Sequence, residues 1–219
     1  LMPLILPGNV ASATASTTYT VANSCRMNKA DSAYFHKTTG AGDRQKWTLS
    51  CWLKRGSLGI LQNFGLTQTN SGNNNLMPWV FDTSNRIDLY DYNSAVSAQL
   101  VTTRVFRDPS SWYHFVLAVD TTLGTANNRM RIYINGVEET VFTTRVNPAL
   151  NYNFNINEDT KQLVLGAYYT SSAASFFDGY YSEVVFIDGT QYAASDFGEF
   201  DEDSPTIWKP IDVSGLTFG

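Results

Sequence analysis

Apolar and polar residues alternate with a period of two in segment after segment of this chain, and this pattern restricts the fold most. Successive side chains of a β-strand point to opposite faces, so such alternation predicts strands with one buried face. No stretch holds the 3.6-residue apolar period of a sizeable helix. Strands are predicted at 20–27, 33–36, 46–54, 60–64, 78–81, 86–90, 98–102, 112–119, 129–134, 137–142, 162–166 and 179–187. The chain is therefore predicted to be nearly all β.

The clearest hairpin turn is Asn135-Gly136, between the predicted strands 129–134 and 137–142. Both central positions of a type I′ turn need positive φ, which asparagine and glycine tolerate. Apolar residues of the first strand should face the core and the residues between them should face solvent. This is the pattern of an antiparallel sheet with one wet face.

Composition fits one β domain with many loops. The chain has 219 residues, of which 16% are charged and 14% aromatic, whereas soluble domains average about 25% charged residues. Aromatic side chains favour strands. Polar loops are predicted at 67–75, 121–128, 147–159 and 170–175, and in a sandwich such loops cluster at the rims, where function usually lies.

The charge balance argues against nucleic acid as a partner. The formal net charge is −5, and phosphate binding needs a basic face. No apolar run approaches the length of a membrane-spanning helix, so no membrane span is predicted.

The two cysteines, Cys25 and Cys51, are too few for a disulfide framework in a chain of this length. Cys51 alternates with Trp47, Leu49 and Leu53, which predicts a buried, free thiol. A bridge between Cys25 and Cys51 is the alternative.

Both ends differ in composition from the centre of the chain. Residues 1–20 begin with an apolar, proline-bounded stretch and are predicted to form an N-terminal arm, either a tail or a strand that docks on a neighbouring subunit. Residues 21–200 are predicted to form the β domain. The acidic, proline-punctuated residues 201–219 are predicted to wrap it and to continue in a longer polypeptide.

Four motifs occur in a fixed order along the chain. They are Trp-Thr-Leu-Ser-Cys-Trp-Leu-Lys at 47–54, Trp-Tyr-His at 112–114, an apolar strand ending in Asn-Gly at 132–136, and Phe-Asp-Gly-Tyr-Tyr-Ser-Glu-Val at 177–184. Together they resemble the laminin-G-like branch of the concanavalin A-like jelly rolls. The resemblance implies an all-β, two-sheet antiparallel jelly-roll sandwich whose scaffold includes Trp47, Trp52 and Trp112.

A narrower resemblance involves the segments 22–26, 105–114 and 197–210. They are similar to segments of marine tailed-bacteriophage proteins in which a laminin-G-like module belongs to the virion or its fibres. This implies a location in the virion, with other capsid or tail proteins as partners and assembly as a homo-oligomer in the particle.

The same fold carries glucanases, whose signature resembles Glu-x-Asp-x-x-Glu on one strand, where alternate positions project acid and nucleophile into one groove. The nearest match here is Glu199-Phe-Asp201, but Ser204 replaces the second catalytic Glu and proline follows. The two histidines, His36 and His114, leave little room for histidine-based catalysis. No catalytic residue is therefore predicted.

Some members of the resembled family hold Ca²⁺ at the sandwich rim through aspartates, and oxygen ligands suit this cation. The candidates are Asp120, Asp178 and Asp188, near strand ends. Each is explained equally well as a turn-capping residue. No other cofactor is predicted.

Sugar binding would need an aromatic platform for the apolar face of the sugar and polar groups for its hydroxyls. The candidates by residue type and loop proximity are Trp79, Tyr90, Tyr92, Tyr168 and Tyr169. Core packing is the alternative for each of them.

These features favour a non-enzymatic virion module, a capsid decoration, fibre or tail adhesion domain whose rim loops bind host-surface glycans. The alternatives are a polysaccharide-active glycoside hydrolase of the same fold and a cement protein without a ligand. Fold alone does not decide among them.

Overall fold

The computed structural model describes residues 19–68, 76–170 and 172–219 and is built from β-strands. These residues contain no α-helix, and hence no helix long and apolar enough to cross a membrane. Short 3₁₀ turns lie at Lys29–Asp31, Ala126–Asn128 and Ala194–Asp196. The strands are β1 Cys25–Met27, β2 Phe35–Thr38, β3 Lys46–Arg55, β4 Gln62–Asn63, β5 Leu66–Gln68, β6 Trp79–Phe81, β7 Arg86–Tyr92, β8 Val96–Val105, β9 Trp112–Asp120, β10 Met130–Ile134, β11 Val137–Glu138, β12 Phe142–Val146, β13 Gln162–Leu165, β14 Tyr168–Tyr169, β15 Ala173–Ala174, β16 Gly179–Asp188, β17 Gly198–Phe200 and β18 Trp208–Pro210.

Two large antiparallel sheets form the sandwich. The six-stranded sheet has the order β1-β16-β3-β9-β10-β11, and the five-stranded sheet has the order β12-β8-β7-β6-β4. Smaller sheets are formed by β2-β13-β5, β14-β15 and β17-β18. The predicted all-β jelly-roll sandwich is confirmed.

The core lies between the two large sheets. Trp47 of β3 stacks on Trp79 of β6 with ring centroids 5.6 Å apart, and neither side chain has exposed surface. Phe115 of β9 reaches both Trp79 and Phe64 across the same interface. Because side chains alternate along a strand, the odd-numbered residues of β3 and β9 enter this core, and the even-numbered ones point to the opposite face of the sheet.

The predicted hairpin turn is confirmed. Asn135 and Gly136 have φ of 49° and 80°, the positive pair that a type I′ turn requires. The predicted strand at 137–142 is wrong in extent, because the chain crosses between sheets there: β11 ends at Glu138 and β12 begins at Phe142 in the other sheet. At the crossing, Glu139 forms an ion pair with Arg104 at 2.8 Å.

Both cysteines are free, as predicted. Cys51 is fully buried, and burial raises the pKa of its thiol to about 12. Cys25 is exposed at the edge strand β1. Cys51 therefore packs as a small apolar core residue, with its thiol protonated.

The chain after β16 covers part of the outer face of the six-stranded sheet. A second apolar cluster forms there from Val116, Ile187, Ala194, Phe197 and the partly buried Tyr133, Val185, Tyr192, Trp208, Val213 and Leu216. Trp208 anchors the β17–β18 hairpin, because its indole N–H donates to His114 Nδ1 at 2.9 Å.

Of the predicted arm, residues 1–18 lie outside the described residues, as do 69–75 of the predicted loop 67–75 and residue 171 of the loop 170–175.

Candidate functional site

Trp79 lies in the core, and its prediction as a ligand-binding residue is wrong. Its side chain is 0% exposed and is packed between the two large sheets against Trp47. The three-residue strand β6 contributes Trp79 and Phe81 to the core cluster. A ring without exposed surface cannot offer a platform to a sugar.

Tyr90 lies on the outer side of the five-stranded sheet, and Tyr168 lies near it. Strand β7 buries Ile87 and Leu89 in the core, so Tyr90, which follows Leu89, faces outward and is half-buried. Tyr168 belongs to β14, far away in sequence. Burial raises the pKa of Tyr90 to about 12, and the nearby Tyr168 contributes to this increase.

Two polar side chains accompany these rings. Gln99 pairs with Tyr90 across the β7–β8 ladder, and its Nε2 donates to Asp88 Oδ1 at 2.9 Å. Burial raises the pKa of Asp88. We call Asp88, Tyr90, Gln99 and Tyr168 the tyrosine face. It combines aromatic surface with a carboxylate and an amide, the groups that bind the C–H face and the hydroxyls of a sugar.

The other two predicted tyrosines are placed differently from each other. Tyr169 follows Tyr168 in β14, so its side chain points to the opposite side of that strand. Tyr92 lies two residues after Tyr90 on β7, so both rings are half-buried on the same side of that strand, and the backbone of Tyr92 pairs with Leu76. Tyr90 and Tyr92 therefore share the outer face of the five-stranded sheet, and Tyr168 lies near Tyr90.

A second aromatic surface was missed at the sequence level. Trp52 of β3 and Trp112 of β9 do not enter the core; they are half-buried on the outer face of the six-stranded sheet. Between them is a cavity of about 340 Å³, here called the tryptophan cleft, whose other lining residues are Val21, Ala22, Asn23, Ser24, Ser182 and Pro210. The alternation that buries Cys51 and Leu53 also places Trp52 outside, so the signal was present.

The cleft is assembled from distant parts of the chain. Ser182 of β16 donates its hydroxyl to the carbonyl oxygen of Asn23 at 2.6 Å, which fixes the residues before β1 along one side. Pro210 of β18 lines the cleft as well, so the C-terminal hairpin contributes to it. The segments 22–26, 105–114 and 197–210, singled out above for their sequence, all reach this cavity.

His114 and Ser50 are 2.8 Å apart, but they do not form a nucleophile and base. Trp208 donates to His114 Nδ1, so the single proton of the neutral ring lies on Nε2 and points at Ser50. A base would need a lone pair at that nitrogen. Burial also lowers the pKa of His114 to about 3. His114 is a structural residue that joins the sheet to the C-terminal hairpin.

The near match to the glucanase signature lies on an exposed hairpin. Glu199 and Asp201 both contact Lys209, at 3.3 Å and 3.5 Å, and the backbone N–H of Ser204 donates to Asp201. Glu199 belongs to β17, which within the described residues pairs only with β18. The carboxylates therefore stabilise a turn and do not project into a substrate groove.

The three candidate calcium ligands are not brought together. Asp178 precedes the ten-residue strand β16 and Asp188 is its last residue, so they lie about 30 Å apart. Asp120 caps its own loop through Thr122, Asp178 pairs with Arg26 at 2.7 Å, and Asp188 accepts from the backbone N–H of Asp43. No group of three carboxylate, histidine or cysteine side chains that could hold a metal ion occurs in the described part of the chain.

Sequence comparison links most of the chain to one family. A family model described as the concanavalin A-like lectin/glucanases superfamily matches residues 28–194. No curated protein sequence matches the chain.

Solved structures share the fold at low identity. A carbohydrate-binding module, CBM40, of the Ruminococcus gnavus IT-sialidase has a TM-score of 0.52 at 12% identity and covers 74% of this chain and 93% of its own. The heptameric SAP-like pentraxin of Limulus polyphemus has a TM-score of 0.51 at 14% identity, with 73% of this chain and 71% of its own covered. A point mutant of the NanB sialidase of Streptococcus pneumoniae has a TM-score of 0.54 at 14% identity, with 81% of this chain and 28% of its own covered. These similarities describe the fold.

Proposed function

The chain belongs to the concanavalin A-like lectin/glucanases superfamily, and we propose that it is a non-catalytic glycan-binding module. The observation that carries this proposal is the tyrosine face. There Tyr90 lies on one strand face beside the hydrogen-bonded pair of Asp88 and Gln99, and Tyr168 of a separate sheet lies nearby. Stacking on the rings would hold a sugar, and the carboxylate and amide would select its hydroxyls.

The similarity to a carbohydrate-binding module is in keeping with this proposal. Retaining hydrolysis needs two carboxyl groups about 5 to 5.5 Å apart across the scissile bond. On the tyrosine face Asp88 is the acidic residue, and it is already hydrogen-bonded to Gln99. Binding without turnover is the function that these groups support.

We place this module in a phage virion, as a capsid decoration, fibre or tail adhesion domain, and as a homo-oligomer within the particle. The support for this location is the resemblance of the segments 22–26, 105–114 and 197–210 to marine phage virion proteins. The net charge of −5 favours contact with protein or neutral glycan over nucleic acid. The partners would be other virion proteins and host-surface glycans.

A glycan array with the purified chain tests the binding function. We expect a defined set of glycans to bind, with at least a tenfold loss of affinity for Tyr90→Ala because the stacking surface is removed. Tyr169→Ala is the matched control, since this tyrosine follows Tyr168 in β14 but its side chain points to the opposite side of that strand. Equal losses in both variants, or no bound glycan, would contradict the proposal; the latter outcome supports a cement protein.

Two further experiments use the same glycans to test for catalysis and purified virions to test the proposed location. Incubation with the bound glycans should leave them intact, as measured by mass spectrometry, and released oligosaccharides would indicate a glycoside hydrolase. Immunogold labelling of purified virions should mark the capsid or the tail. Labelling confined to lysate debris would overturn the virion placement without affecting the glycan-binding result.

A further inference from the structure

We propose that the tryptophan cleft is a second binding site, and that its ligand is a neutral pyranose sugar. The cleft lies on the six-stranded sheet, whereas the tyrosine face lies on the five-stranded sheet. It shares no residue with the tyrosine face and does not depend on it. The chain would then bind glycans on two opposite faces.

The two indole rings of the cleft are held in place before any ligand binds. Trp52 stacks on His114 with centroids 4.8 Å apart, and His114 is itself fixed by Ser50 and Trp208. Trp112 packs against Tyr180 at 6.4 Å. Rings fixed in this way lose little side-chain entropy on binding, which favours affinity. Their remaining exposed surface is aromatic and apolar, as the C–H face of a pyranose requires.

Polar groups lie within the same cavity. The Ser182 hydroxyl donates to the Asn23 carbonyl oxygen, so its own oxygen can still accept a hydrogen bond from a ligand hydroxyl. Asn23 and Ser24 are exposed along the wall that the residues before β1 form. A mostly apolar cleft with a few converging polar groups is the usual form of a small-molecule site.

The charge and size of the cleft define the ligand class. Among the described residues, none that lines the cleft carries a charge, so this lining offers no partner for the carboxylate of an acidic sugar. The nearby Arg26 is occupied by Asp178 at 2.7 Å. The volume of about 340 Å³ is at the lower end of ligand cavities and suits one or two sugar rings. These properties favour neutral hexopyranoses over sialic or uronic acids.

The five indole N–H groups of the chain provide a direct test by nuclear magnetic resonance. The probes are the methyl glycosides of glucose, galactose, mannose and N-acetylglucosamine, with methyl glucuronide as the acidic comparison. We expect at least one neutral glycoside to shift the Trp52 and Trp112 indole signals, assigned from Trp52→Phe and Trp112→Phe. Trp47 and Trp79 are internal controls, because they are fully buried in the core and should not respond.

Variants on the two faces then separate the sites. Trp112→Ala should weaken the response of the remaining Trp52 signal at least tenfold, and Ser182→Ala should weaken it severalfold, while Tyr90→Ala should leave it unchanged. Shifts that disappear in Tyr90→Ala would show binding at the tyrosine face only and would overturn the proposal. The proposal would also be overturned if the Trp52 and Trp112 indole signals shifted with a proline-rich peptide or with methyl glucuronide but with none of the neutral glycosides.

Should Trp112→Ala unfold the chain, Trp112→Phe keeps the test usable. This variant retains an aromatic ring with less stacking surface, so we expect the affinity at Trp52 to fall severalfold while the core indole signals stay in place. An unchanged affinity in folded Trp112→Phe together with folded Ser182→Ala would also contradict the proposal, since both groups are assigned direct contact with the sugar.

Discussion

The outer faces of the two large sheets differ in what covers them. On the five-stranded sheet the tyrosine face contains the carboxylate of Asp88, and Tyr168 of the small β14–β15 hairpin lies near Tyr90. On the six-stranded sheet the chain after β16 packs on one half, and the uncharged tryptophan cleft remains beside it. One core thus supports two surfaces of different chemistry. Residues of the large sheets supply most of that chemistry, and segments outside them complete each surface. The following predictions test the two surfaces separately.

The largest effect is expected for Trp208→Ala. This change removes a half-buried ring that packs against Gly136 and Gly198, and it leaves the buried Nδ1 of His114 without its donor. Together these losses should lower the free energy of unfolding by about 4 kcal/mol, measured by urea denaturation. The cleft should lose its sugar response because Pro210 is released, while the tyrosine face keeps its affinity.

Phe200→Ala is the control for this variant. Phe200 contacts Trp208 on the same hairpin but is 42% exposed, so the loss of stability should stay below about 1 kcal/mol. A loss as large as that of Trp208→Ala would show that the hairpin depends on its aromatic surface in general and not on the bond to His114.

The next effect concerns pH and the strand that carries Tyr90. Asp91, the following residue, is fully buried and accepts hydrogen bonds from Tyr152 and Asn155. Burial raises the pKa of Asp91 from 3.8 to about 6. The folded chain therefore holds this proton more tightly than the unfolded chain does. Its contribution to stability is complete below pH 4 and is lost as the pH rises from about 4 to about 6.

Denaturation of the native chain and of Asp91→Asn across this range measures the effect. The stability of the native chain relative to the variant should fall by roughly 2 to 3 kcal/mol between pH 4 and pH 6.5 and then stay level. A difference that is independent of pH would mean that Asp91 titrates normally in the folded chain.

A smaller effect is expected for the polar part of the tyrosine face. Asp88→Asn removes the negative acceptor but preserves the shape of the side chain, so glycan affinity at this face should fall by about tenfold or less. The indole response of the cleft should not change. Titration calorimetry with a glycan identified on the array measures the first effect, and an unchanged affinity would remove Asp88 from the site.

The smallest effect is expected for the pH dependence of the cleft. The lining that the structure describes contains no ionisable side chain, and His114 behind Trp52 stays neutral because burial lowers its pKa to about 3. Sugar affinity at the cleft should therefore vary by less than about twofold between pH 5 and pH 8. A marked change in this range, read from the Trp52 indole signal, would show that a titrating group outside the lining acts on the site.

The fold could be predicted because the sequence pattern of the longer strands is visible within each strand. Alternation identified β3, β9 and β16 nearly to their ends, and Asn135-Gly136 specified its turn through backbone φ alone. These are local properties, decided by neighbours in sequence. Some strands of two or three residues, such as β14 and β17, were missed because they are too short to show a period, whereas β6 was predicted.

The candidate binding residues were harder to predict from sequence than the strands. Whether an aromatic strand residue is buried or exposed depends on which side of its strand is covered by another sheet or segment. Trp79 and Trp52 are both aromatic strand residues, yet one is packed between the sheets and the other faces the cleft. Asp120, Asp178 and Asp188 share a position at strand ends but lie in separate networks. Which residues surround each of these aspartates depends on the chain topology.

By itself, the sequence determined the all-β class, the family scaffold, the hairpin turn and the free, buried state of Cys51, since periodicity and φ preference act over a few residues. Only the tertiary structure decided that Tyr168 lies near Tyr90 and that Trp52 and Trp112 border a cleft with Ser182 and Pro210. These groups are far apart in sequence, and packing alone brings them together. Their contacts depend on how the sheets and the C-terminal hairpin pack, which no local pattern specifies.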